Sequence, residues 1–156
     1  MSSHGFDYVR SSGFLKQLAE QRSIGGERTN LQDLGDELDR QNDYLWLLEK
    51  VARPGFAASP EQRRWIVDAV RKHRQVEHFR AVYSDAILHV HLNASEEVLR
   101  QRYAERKDKT PYDVAVRHEN EVASRGLIAI ADLVIDTGSR SAEEAARQIA
   151  ERNMMR

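Results

Sequence analysis

A chain of 156 residues is long enough for one compact domain with its own core and short for two. Apolar residues at 40% and charged residues at 31% exclude a disordered or membrane-spanning polypeptide, and the complete absence of cysteine excludes disulfides, thiolate nucleophiles and cysteine-bound zinc. The 25 acidic and 24 basic side chains nearly cancel, which excludes general attraction to nucleic acid or anionic lipid, so any phosphate binding must be local.

The opening residues carry no apolar run of the signal-peptide kind, and the expected compartment is the cytoplasm, with no membrane partner. Phe6 to Val9 is a short β-prone run. Ser11 and Ser12 follow as candidate caps for a helix from Phe14 to about Gln21, which Gly25-Gly26 ends. From Thr29, the spacing of Leu31, Leu34, Leu38, Leu45, Leu48 and Val51 predicts a long amphipathic helical region. It is interrupted near Asn42 and Asp43 and stopped by Pro54-Gly55.

Trp65 to Val70 is an apolar run enclosing Asp68 and predicts a buried strand, with a polar helix following through Arg80. Ala86 to Leu92 predicts a second such strand, and Ser95 caps a helix through about Arg106. Pro111 opens another helix to about Ser124, Ala131 to Asp136 is a last strand, and Ser141 caps the closing helix. Strands separated by helices, with apolar runs rather than alternation, predict an α/β domain: a parallel sheet in three layers, covered on both faces. Trp46, Trp65 and Phe56 follow the apolar pattern and belong to the core rather than to a base-stacking platform.

In such a sheet ligands bind beyond the carboxyl ends of the strands. Asp68 closes one apolar run, where a carboxylate can serve a metal-bound phosphate or simply cap a turn. Arg71, three residues on, can offer a planar fork to a phosphoryl group. Arg102 and Arg106 lie four apart and share a helix face, with Lys107 and Lys109 beyond. They are either a lid over phosphates or a solvated surface paired with Glu97, Glu105 and Asp108. His89 and His91 alternate on one strand without an evident set of further metal ligands.

Four segments carry a family resemblance. Phe6 to Lys16, Arg28 to Leu38, Val67 to Arg71 with Val76 to Arg80, and Ala131 to Ser139 together resemble the P-loop nucleoside and deoxynucleoside monophosphate kinases, in the branch related to dephospho-CoA kinase. The resemblance implies the P-loop kinase type of three-layer sheet. It also implies an activity of ATP- and Mg²⁺-dependent phosphoryl transfer to a nucleotide or similar phosphorylated small molecule, rather than nucleic acid. It implies that Ser11, Arg28 and Arg71 face the acceptor, that Asp68, Arg102 and Arg106 serve catalysis, and that Thr137 and Ser139 lie near the adenine of the donor.

Two departures accompany it. Lys72-His73-Arg74-Gln75 stands where the family often has Asn-Pro-Gly-Glu, and no G-x-x-x-x-G-K-[ST] motif occurs. The chain is therefore expected to be inactive as written, a kinase-like domain or a non-catalytic nucleotide-binding or interaction module. The strand that would carry that motif belongs in the middle of the family's sheet. Without it the sheet closes up, another chain supplies a strand through self-association at the unpaired edges, or the sequence is part of a longer protein.

Overall fold

Two pairs of short parallel strands, each pair within its own compact unit, organise the computed structural model, which describes residues 5–106 and 111–155. The first unit ends at Val82 and the second begins at Tyr83.

In the first unit β1 (Asp7–Arg10) runs directly into α1 (Ser11–Gln21). Arg10 is still extended, at φ −122° and ψ 130°, and the next residue is already helical, so Ser11 and Ser12 lie inside the helix rather than before it. Helix α2 (Arg28–Gln41) stops where Asp43 and Tyr44 both take positive φ, a conformation that L-residues adopt at a cost. A π-helical turn, Leu47–Ala52, then leads without a break into α3 (Arg53–Ala58). Pro54-Gly55 therefore does not stop the helix. Pro54 is the second residue of α3, and the helical path runs through it.

Strand β2 (Trp65–Asp68) pairs parallel with β1, Asp7 opposite Trp65 and Arg10 opposite Asp68. The period of two puts Asp7, Val9, Trp65 and Val67 on one face. That face meets the helical segment, with the Trp65 ring 5.0 Å from Phe56 and Val9 against Gly55. The core is built from Leu34, Trp46, Leu47, Leu48, Val51 and Ala52, and Phe14 stacks on Trp46 at 5.8 Å. Helix α4 (His73–Tyr83) contributes Val76 and Phe79.

A Cβ at Gly55 would stand 2.8 Å from Cγ2 of buried, β-branched Val9. Gly55→Ala is expected to lose stability, because overpacking strain of about 1–3 kcal/mol exceeds the roughly 1 kcal/mol of helix preference that alanine brings. Urea titration checks this: a midpoint equal to or above wild type would show that Val9 yields freely.

In the second unit β3 (Val90–Asn93) and β4 (Leu133–Asp136) are parallel, Val90 opposite Leu133 and Asn93 opposite Asp136. The run from Ala86 begins as a 3₁₀ turn, Ser84–Ala86, so β3 starts later than the apolar pattern suggests. His89 is fixed beforehand: its N–H donates to Asp132 Oδ2 at 2.7 Å, and its carbonyl accepts from the N–H groups of Asp132 and Leu133. Ser95 caps α5 (Glu96–Ala104) through Val98 N–H.

The helix expected from Pro111 is two, α6 (Tyr112–Ala115) and α7 (Glu119–Gly126). They are divided where His118 Nδ1 accepts from Asn120 N–H and caps the second. A 3₁₀ turn, Leu127–Ile130, precedes β4, and α8 (Ala142–Met154) opens on a reciprocal Ser141–Glu144 capping box. No described helix is long and apolar enough to cross a membrane. Lys107 and Lys109 lie outside the described residues.

The expectation of one three-layer parallel sheet of the P-loop kinase type is corrected here. Helix accounts for 61% of the structure, and the strands form two separate two-stranded sheets, β1–β2 and β3–β4. Apolar runs bounded by helices identify strands and favour parallel pairing, but they carry no information on how many strands share a sheet. Each strand here is four residues long and finds one hydrogen-bonded neighbour.

Candidate functional site

The face of the first sheet turned away from Phe56 and Gly55 presents Tyr8, Arg10, Ile66 and Asp68. Arg10 and Asp68 end their strands side by side, and the first turn of α1 starts at the next residue. Side chain and backbone thus converge at one sheet end. The Arg10 guanidinium lies over the Tyr8 ring at 4.4 Å. Burial first, and then the hydrogen-bonded Asp68 carboxylate, push the Tyr8 phenol above its usual range. Asp68 is exposed and also accepts from Ala69 N–H at 2.8 Å.

Helix α1 begins without a side-chain cap: Arg10, at the capping position, makes no hydrogen bond to the first turn. The N–H groups of that turn have no helical acceptor and carry the positive end of the helix dipole. Ser11 is buried in it. Across the sheet end, Ala69 takes φ +65°, a left-handed conformation in a non-glycine residue directly after Asp68.

The loop it opens is tied down by Gln75. The Gln75 Oε1 accepts from the N–H of Arg71 at 3.0 Å and of Lys72 at 3.3 Å, while Nε2 donates to Asp39 Oδ1 at 3.0 Å. Asp39 also accepts from Trp46 Nε1 at 2.7 Å. Burial raises the Asp39 carboxyl above its ordinary range, against the two hydrogen bonds and the nearby Lys72 charge. Lys72 is buried, with Nζ 3.8 Å from Asp36 Oδ1.

Of the residues singled out from sequence, Ser11 and Asp68 are brought to one sheet end, and Arg71 follows on the Asp68 loop. Arg28 is the first residue of α2. In the second unit Arg102, in the last turn of α5, reaches the residue that follows β4. Its guanidinium donates to Thr137 Oγ1 at 2.9 Å and to the Thr137 carbonyl at 2.6 Å, and Thr137 Oγ1 in turn donates to the Asn93 carbonyl. Ser139 Oγ donates to Asp136 Oδ2. Arg106 lies two residues past the end of α5 and is exposed.

The hydroxyls of Thr137 and Ser139 are thus engaged by the chain's own groups, and among the described residues no three His, Asp or Glu side chains are grouped to hold a metal ion. Tyr8, Arg10, Asp39 and Gln75 were not singled out from sequence. The signal for Gln75 was its place in Lys72-His73-Arg74-Gln75, where the chain departs from the family pattern.

Comparison with known proteins returned no matching family model and no matching curated sequence.

Proposed function

We propose that the first unit binds a phosphorylated small molecule, of the nucleoside monophosphate class, at the carboxyl ends of β1 and β2, without catalysing phosphoryl transfer. The observation that carries this reading is the uncapped first turn of α1 beside the Asp68–Arg71 loop, fixed by the Arg10–Asp68 register. Free N–H groups at a helix start bind oxyanions, and an arginine fork complements them. The sequence resemblance supports the nucleotide class, with Ser11, Arg28 and Arg71 on the acceptor side. That no G-x-x-x-x-G-K-[ST] motif occurs in this sequence supports binding over catalysis.

Calorimetric titration with the nucleoside monophosphates of the four common bases tests it. Arg71→Ala is expected to weaken binding by about 1.5–3 kcal/mol, roughly ten- to a hundredfold, with little change in the unfolding midpoint. Absence of binding by the wild-type chain, or equal affinity in the two proteins, would remove this reading.

A further inference from the structure

Gln75 is almost fully buried, at 3% exposure, yet every polar atom of its amide is used, and its partners dictate its orientation. The two backbone N–H groups of Arg71 and Lys72 can only donate, so they require the oxygen. An ionised Asp39 can only accept, so it requires the nitrogen. Asp39 is held in turn by the Trp46 indole. A continuous chain of hydrogen bonds therefore runs from the core of α2 to the loop that follows Asp68, the loop that also contains the left-handed Ala69.

We propose that Gln75 is a positioning residue: it holds the Arg71–Lys72 backbone in the conformation that receives the oxyanion, and Asp39 keeps its amide the right way round. This rests on the phosphate-binding reading of the sheet end and adds the device that prepares it. Unheld, the loop would be free to relax the strain at Ala69 and withdraw Arg71 from the end of β2. The amide sits at the third position of α4, counting His73 as the first, and reaches back to the residue before the helix, as the acidic or amide member of a capping box does. It extends that pattern by one residue, to Arg71, and so controls the loop as well as the helix start.

The test compares the wild-type chain with Gln75→Met, which keeps the length and loses every hydrogen bond, and with the double variant Gln75→Glu/Asp39→Asn, which keeps oxygens for the two N–H groups and faces the new carboxylate with an amide in place of a second carboxylate. Amide hydrogen exchange and ¹⁵N–¹H spectra are recorded without ligand and during titration with inorganic phosphate. In wild type and Gln75→Glu/Asp39→Asn the Arg71 and Lys72 amides should be protected. In Gln75→Met both should exchange faster, and phosphate should bind about tenfold more weakly to the fully folded protein. A purely structural role would lower stability without changing affinity in the folded state. Equal phosphate affinity in folded Gln75→Met and wild type would overturn the proposal alone, whereas no phosphate binding by wild type would overturn it together with the reading of the site. Should Gln75→Met fail to fold, unprotected Arg71 and Lys72 amides in Gln75→Glu/Asp39→Asn would overturn it equally.

Discussion

Asp39→Ala is expected to lower the free energy of unfolding by about 3–5 kcal/mol, the range for removing one member of a buried charged network. The carboxylate is 5% exposed and serves as acceptor for Trp46 Nε1 and Gln75 Nε2. Its loss strands two buried donors and leaves Lys72 with less compensation. Asp39→Asn should cost much less, because it keeps an oxygen for the indole at nearly the same volume.

The two variants also differ in pH dependence. Asp39 is raised in the folded state, so the stability gained from its protonated form is fully present below the unfolded value, about pH 4, and is lost as pH rises through the folded value. Asp39→Asn lacks that slope and should gain on wild type as pH increases. The carboxylates held low, Asp43 by Arg74 and Asp136 by Ser139, act in the opposite sense in both proteins: what they contribute is lost on acidification. Urea unfolding at pH 4 and pH 7 measures the difference, and a difference independent of pH would show that Asp39 titrates normally.

Leu47→Ala is the second large effect, at about 2–5 kcal/mol. Leu47 has no exposed surface and Leu48 is 1% exposed, and Val51 and Ala52 are buried in the same turn. The π-helical winding, wider than α, turns adjacent leucines inward together, next to Trp46, which Phe14 stacks upon. Surroundings fixed on several sides collapse poorly into a new cavity. Lys50→Ala, on the exposed side of the same turn, should change stability by no more than about 0.5 kcal/mol. A Leu47→Ala loss below that of Lys50→Ala would mean that the turn rewinds around the gap.

The four strands were legible because Tyr8-Val9, Trp65-Ile66-Val67, Val90 to Leu92 and Leu133-Val134-Ile135 are compact apolar or β-prone runs bounded by polar breaks. The Ser95 and Ser141 caps were legible because capping is local chemistry. The division into two sheets was not, since neighbours within a sheet are chosen by contacts distant in sequence. The π turn was hidden for a related reason: leucine spacing that fits an α-helix also accommodates a locally wider winding. At the candidate site, Asp68 was reached from the strand-end rule and Ser11 only through the family resemblance. Asp39 and Gln75 did not, because each is a polar residue on a helix whose pattern suggests a solvent-facing role, and only the fold shows that they bury one another's hydrogen bonds.

The strand registers have a consequence for the order of folding. Asp7 must meet Trp65, and Val90 must meet Leu133, so each parallel pair forms only after a long intervening stretch has been brought into place. Closing such loops costs chain entropy before any ladder bond repays it, whereas the helices need only neighbours in sequence. The sheets are therefore expected to be the late step, with helical segments assembling first and the apolar strands waiting unpaired. During that interval Trp65-Ile66-Val67 and Leu133-Val134-Ile135 are the segments most open to pairing with another copy, which makes refolding concentration the variable that separates productive folding from aggregation.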